Sequence, residues 1–119
     1  MKPSDDIDDG VFESVAELFS LLSTPIRLKI IRALCENEKN VSQLLAEIET
    51  TQPNMSQHLS TLYRAGVLGK RRDSTQIYYH LQSQRVATLC QAVCSQVATE
   101  RDPAAELPVA ERLLPLTAR

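Results

Sequence analysis

The sequence predicts a mainly α-helical domain carrying one small β-hairpin. Two observations lead there. Apolar residues recur at helical spacing through five separate stretches, each bounded by capping or breaking residues. The single run rich in β-formers, Gln76-Ile77-Tyr78-Tyr79-His80-Leu81, follows a basic arm and the turn-forming Asp73-Ser74. With 119 residues and 13.3 kDa, the chain has room for one such domain and one modest core.

Residues 1–10 are polar and acidic and end in Gly10, and they are expected to form a disordered arm. Phe12, Val15, Ala16, Phe19 and Leu22 give a first amphipathic helix over 11–22. Ser23-Thr24-Pro25 is a stop and a restart, with Thr24 as cap and Pro25 at the first helical position. A second helix follows over 25–36, burying Ile26, Ile30, Ile31 and Leu34. Asn40 opens the third, with Gln43 placed as its capping-box partner and Leu44, Leu45 and Ile48 as its apolar face.

Thr50-Thr51-Gln52-Pro53 is a short polar break before a fourth helix over about 53–65. There Met55, Leu59 and Leu62 form an apolar stripe, and Gly66 stands just past the end. Its other face carries Asn54, Ser56, Gln57, Ser60, Thr61 and Arg64. Hydroxyls and amides dominate it, where a merely solvated face would be rich in Glu and Lys, so the composition suits hydrogen bonding to a partner. The hairpin over 67–81 has Lys70, Arg71 and Arg72 on its first arm. A last long helix over 83–101 aligns Val86, Leu89, Cys90, Val93, Cys94 and Val97. The domain is thus expected over 11–101, followed by a tail over 102–119 that contains Pro103, Pro108 and Pro115.

Several function classes fall away. Three glycines, none in a phosphate-cradling spacing, exclude the dinucleotide fingerprint and the Walker A loop. Apolar runs reach only three residues, so no membrane span is expected. The acidic N-terminus is unlike a signal peptide, which points to the cytoplasm. Two histidines, one in the fourth helix and one in the hairpin, offer no nucleophile–base pair or hydrolytic metal centre, so no enzyme is expected. The net charge is −2, but its distribution is uneven. Residues 1–17 hold six acids against one lysine, whereas residues 54–76 hold four bases against one acid. A local basic patch in an acidic chain can still meet phosphates.

Helix, helix, tight turn, polar-faced helix and basic hairpin, in that order, make a winged helix-turn-helix of five helices plus the wing. An α-helix fits the major groove, where amide and hydroxyl side chains distinguish base edges, and a basic hairpin beside it reaches the backbone or minor groove. A winged helix used only for protein contacts is the alternative.

The sequence resembles the ArsR/SmtB family of bacterial winged-helix repressors over residues 12–100. The resemblance rests on Leu22-Ser23-Thr24-Pro25-Ile26-Arg27-Leu28, Asn40-Val41-Ser42-Gln43-Leu44, Gln52-Pro53-Asn54-Met55-Ser56-Gln57-His58-Leu59, Leu62-Tyr63-Arg64-Ala65-Gly66-Val67-Leu68 and Gln76-Ile77-Tyr78-Tyr79-His80-Leu81. It implies a homodimer built through the first and last helices, bound to an imperfectly palindromic double-stranded operator and released by an inducer or oxidant. Ser56, Gln57 and His58 would begin the DNA-reading helix, with Asn54, Ser60 and Arg64 on the same side. Lys70, Arg71, Arg72 and Gln76 would belong to the wing. For His58 the competing reading is a packing histidine, and for Arg71 and Arg72 a solubilising pair; His80 is expected to be structural.

Two sensor sites of the family are missing. The third helix opens on Asn40-Val41-Ser42-Gln43-Leu44 without the paired cysteines of the metalloid type, and Ser83, Arg85, Gln96 and Thr99 replace the zinc ligands of the last helix. Cys35, Cys90 and Cys94 remain, and an odd count argues against a disulfide framework. Cys90 and Cys94 lie one helical turn apart, where both sulfurs can converge on a thiophilic metal or metalloid. A persulfide- and redox-sensing subgroup places one cysteine in the second helix and one in the last. Cys35 falls about one turn after the first of these positions and Cys94 one turn before the second, which makes them a candidate redox pair. Three inert packing thiols, or an effector that uses no cysteine, are the other readings; no cofactor is otherwise implied.

Overall fold

The computed structural model describes residues 7–102. It shows five helices, α1 (Asp9–Leu21), α2 (Pro25–Glu36), α3 (Val41–Glu47), α4 (Gln52–Arg64) and α5 (Gln84–Arg101), with strands β1 (Leu68–Asp73) and β2 (Gln76–Leu81) between the last two helices. This is the winged helix-turn-helix that the sequence predicts. The tail prolines lie outside the described residues.

Side chains at the helix starts explain the punctuation. Thr24 Oγ1 accepts from Arg27 N at 3.1 Å with Pro25 in the first turn, and Thr51 Oγ1 accepts from Asn54 N at 3.2 Å. The capping box is complete: Asn40 Oδ1 accepts from Gln43 N, and Gln43 Oε1 accepts from Asn40 N, both at 2.9 Å. Ser83 caps α5. The first helix departs from expectation by starting at Asp9, because Asp8 accepts from Val11 N and satisfies an otherwise open amide. Gly10, expected to end a disordered arm, therefore sits in the first turn of α1.

The core gathers Ile30, Ile31 and Leu34 of α2, Leu44 of α3, Met55, Leu59 and Leu62 of α4, then Val67, Leu68 and Val86. The α4 stripe is completely buried, which fixes the roll of that helix and turns its polar face outward. Gly66 has φ +82°, the left-handed backbone that ends α4 and sends the chain into β1.

The apolar faces of α1 and α5 behave differently. In α1, Leu18 and Leu21 pack on the core, yet Phe12 is 62% and Phe19 56% exposed. In α5, Val86 is buried and Leu89 and Cys90 join the core, whereas Val93 and Val97 stand open. The spacing that predicts these helices does not show that much of each stripe projects from the domain.

Candidate nucleic-acid interface

β1 and β2 form an antiparallel hairpin with Leu68 opposite Leu81, Lys70 opposite Tyr79, Arg71 opposite Tyr78, Arg72 opposite Ile77 and Asp73 opposite Gln76. The two-residue turn Ser74-Thr75 closes it, with Ser74 at φ +60°. Alternation along a strand puts Leu68, Lys70 and Arg72 on one face and Gly69, Arg71 and Asp73 on the other. Arg71 and Arg72, grouped as a pair in the sequence, thus point to opposite sides.

Their surroundings differ accordingly. Arg71 Nε donates to Glu38 Oε1 at 2.8 Å, and its terminal nitrogen also bonds Glu38 Oε2, a two-point ion pair with the α2–α3 loop. Asp73 lies 3.9 Å from the same guanidinium, which also stacks 5.0 Å from the Tyr78 ring centre. The pairing holds the Glu38 carboxyl below its ordinary range and raises Arg71, chiefly through the hydrogen bonds. Lys70 Nζ sits 4.3 Å from the centre of the Tyr63 ring of α4. Arg72 is exposed.

The α2–α3 loop does more than join helices. Lys39 and Tyr79 exchange main-chain hydrogen bonds of 3.0 and 2.8 Å, so Lys39 pairs with the free edge of β2. Asn40 Nδ2 donates to Gln76 Oε1 at 3.2 Å. The Lys39 side chain turns back into the protein, 8% exposed for the residue as a whole. Its ammonium donates to Ala33 O at 2.7 Å and Asn37 Oδ1 at 3.0 Å, with Glu36 at 3.4 Å and Glu47 at 3.7 Å. Sequence reasoning missed Lys39 because a single-residue bridge has no periodicity.

On α4, Asn54, Ser56, Gln57 and Arg64 are exposed, while His58 and Ser60 are half-buried. Asn54 Nδ2 already donates to Thr50 Oγ1 at 2.8 Å. His58 is turned partly inward: burial, then the positive Arg27, pull its pKa down and favour the neutral ring. Arg27, also missed from sequence, keeps a buried Nε without a hydrogen-bond partner beside α4. Of the residues expected from the sequence to contact DNA, Ser56, Gln57 and Arg64 on α4 and Arg72 on the wing are thus exposed. Gln76 is exposed but engaged with Asn40.

The thiols are all free: Cys35 and Cys94 are exposed and Cys90 is half-buried. Burial raises the Cys90 thiol, and Cys94 and then Cys35 add to the shift, so α2 and α5 bring all three into one neighbourhood. Among the described residues no group of three or more His, Cys, Asp or Glu side chains is close enough to hold a metal ion. Cys90 and Cys94 alone would offer such an ion two donors. No described helix is long and apolar enough to cross a membrane.

Residues 24–70 match the family model described as bacterial regulatory protein, arsR family. The chain is 36% identical over 90 residues to the biofilm growth-associated repressor of Xylella fastidiosa, covering 76% of this chain and 79% of that one. Among solved structures, it resembles the transcriptional repressor BigR from Xylella fastidiosa at a TM-score of 0.70 and 34% identity, covering 80% of this chain and 95% of that one. NolR from Sinorhizobium fredii gives a TM-score of 0.67 at 30% identity, with 88% and 100% covered.

Proposed function

The chain belongs to the ArsR family of bacterial transcriptional regulators, and from that premise we propose that it is a homodimeric, DNA-binding repressor whose release from its operator is thiol-controlled. The two relatives from Xylella fastidiosa reported above are themselves named repressors. One observation carries the DNA-binding part: Met55, Leu59 and Leu62 are fully buried, which locks α4 with Ser56, Gln57 and Arg64 outward beside the hairpin. This helix is the right width for a major groove, and its amides and hydroxyls are suited to base edges.

A second copy of the chain accounts for the open apolar faces. Phe12 and Phe19 of α1 and Val93 and Val97 of α5 stand exposed on the apolar faces of the first and last helices, which suits them to a partner surface. Pairing these helices gives two reading heads, related by a dyad, for an imperfect palindrome. Sedimentation of the purified chain, followed by anisotropy titration on a duplex selected from a randomised pool, tests both steps. A dimer whose affinity falls steeply with salt supports the proposal. A monomer at micromolar concentration, or a dimer that binds no duplex, refutes it and favours a module for protein contacts.

For the signal, the grouping of the thiols supports Cys35 and Cys94 as the reacting pair. Both are exposed, whereas the half-buried Cys90 holds its proton more tightly and is the poorer nucleophile. A peroxide that oxidises the two thiols to a disulfide, its O–O bond breaking as it is reduced to water, would tie α2 to α5 and change how the reading heads are spaced. Cys35→Ser and Cys94→Ser should each abolish release, while Cys90→Ser preserves it. Loss of an arsenite response through Cys90→Ser and Cys94→Ser would favour metalloid sensing instead, and normal release by the triple serine variant would show three packing residues.

A further inference from the structure

We propose that Glu38 is a positioning residue for the wing: it holds Arg71 as a structural latch, leaving Arg72 as the hairpin arginine that meets phosphate. This rests on the DNA-binding reading above. Three consecutive loop residues each reach the hairpin: Glu38 bonds Arg71, Lys39 pairs with Tyr79 through the main chain, and Asn40 bonds Gln76. The buried Lys39 ammonium fastens that loop to the end of α2, and the Asn40 cap fastens it to the start of α3. The wing is thereby referenced to the helix-turn-helix from one side, while Lys70 on Tyr63 references it to α4 from the other.

Charge gives the second half of the argument. Binding to phosphate gains from release of counterions, which requires a cation with uncompensated charge. The two-point pair of Arg71 with Glu38, with Asp73 also nearby, leaves little net positive charge at that position. Arg72, one residue on, points to the opposite face and is exposed. The pair of Arg71 with Glu38 is also a fork-to-fork contact, which fixes direction as well as distance. Its worth lies in where it sets the hairpin.

Reversing the pair separates a latch from a phosphate ligand. The full chain is compared with Arg71→Glu, with Glu38→Arg/Arg71→Glu and with Arg72→Ala. One readout is amide hydrogen exchange of the hairpin without DNA; the other is anisotropy on the duplex selected by the unmodified protein. Arg71→Glu should speed exchange across β1–β2 by about two- to fivefold, the range an exposed ion pair supports, and weaken binding. The reversed pair conserves net charge and should return both exchange and affinity to within about twofold of the unmodified protein. Arg72→Ala should leave exchange unchanged and lower the salt slope by about 0.9 per subunit. If the reversed pair restores exchange but binds as weakly as Arg71→Glu, Arg71 is itself the phosphate ligand and the proposal fails. It fails equally if exchange is the same in all four proteins. A chain that binds no duplex refutes the functional reading, while the exchange arm still decides whether the latch exists.

Discussion

Replacing Lys39 by Met removes an ammonium and keeps the aliphatic stem, so burial of the stem is nearly unchanged. Of the four acceptors around Nζ, three have access to water: Asn37 is exposed, and the Glu36 and Glu47 side chains are 68% and 46% exposed. Their separation from Lys39 should cost little. The fourth acceptor, Ala33 O, is different. It is one of the last four carbonyls of α2, and its 2.7 Å bond from Nζ is buried. A hydrogen bond from a charged donor contributes about 1.5–3 kcal/mol, and a cation at a helix C-terminus about 0.3–1 kcal/mol more. Relief from burying the ammonium offsets part of this, which leaves a net loss of about 2 kcal/mol. For a domain of this size that lowers Tm by roughly 10 °C. Urea unfolding followed by circular dichroism at one fixed protein concentration measures it, since any dimer makes stability depend on concentration. A loss below about 0.5 kcal/mol, or a gain, would show that desolvation of the ammonium cancels its bonds and that the loop is held by its main-chain pairing alone.

Three further outcomes are expected. An alanine methyl at Gly69 would stand 2.6 Å from His80 Cε1 and 2.9 Å from Gln82 Oε1, the ends of side chains that can swing aside, so Gly69→Ala should destabilise by no more than about 1 kcal/mol, and adding His80→Ala should recover much of it; thermal melts of the single and double variants check this. Because the folded state lowers the His58 pKa, the unfolded chain takes up that proton first as pH falls, so His58 should erode stability progressively below about pH 6.5. His58→Gln should flatten that part of the stability–pH curve, and an unchanged slope would place the loss elsewhere. Gln57→Ala should weaken binding to the selected duplex by roughly 1–3 kcal/mol and binding to random duplex much less, as measured by parallel titrations; equal losses would assign Gln57 to the backbone.

What could be seen in the sequence follows from the range of each interaction. The caps at Thr24 and Asn40, the stop at Gly66 and the Met55, Leu59, Leu62 stripe are local or periodic, and all four are found in the structure. The open faces of Phe12, Phe19, Val93 and Val97 are periodic too, but a period shows only that a face is apolar, not which molecule covers it. Lys39 with Tyr79 and Glu38 with Arg71 join residues far apart in the chain, with no pattern to announce them. The split between Arg71 and Arg72 was within reach, since neighbours on a strand point to opposite faces. His58 proved the harder residue: its position in the motif suggests a base contact, and only the packing beside Arg27 reveals that the ring is turned partly inward.

The bridge between Lys39 and Tyr79 also bears on how the chain is made and how it can be reused. Synthesis delivers residues 25–64 well before residue 79, so the amide and carbonyl of Lys39 must stay hydrated until the hairpin arrives. Val67, Leu68 and Val86, which complete the floor of the core, arrive with or after the wing. The helix-turn-helix is therefore finished by sequence that follows it, and its maturation waits on a contact spanning a third of the chain. A fusion that carried only α2 to α4 would present an open strand-pairing site and an unroofed core. Swapping reading heads between regulators of this shape should succeed only when the exchanged segment runs through the end of β2.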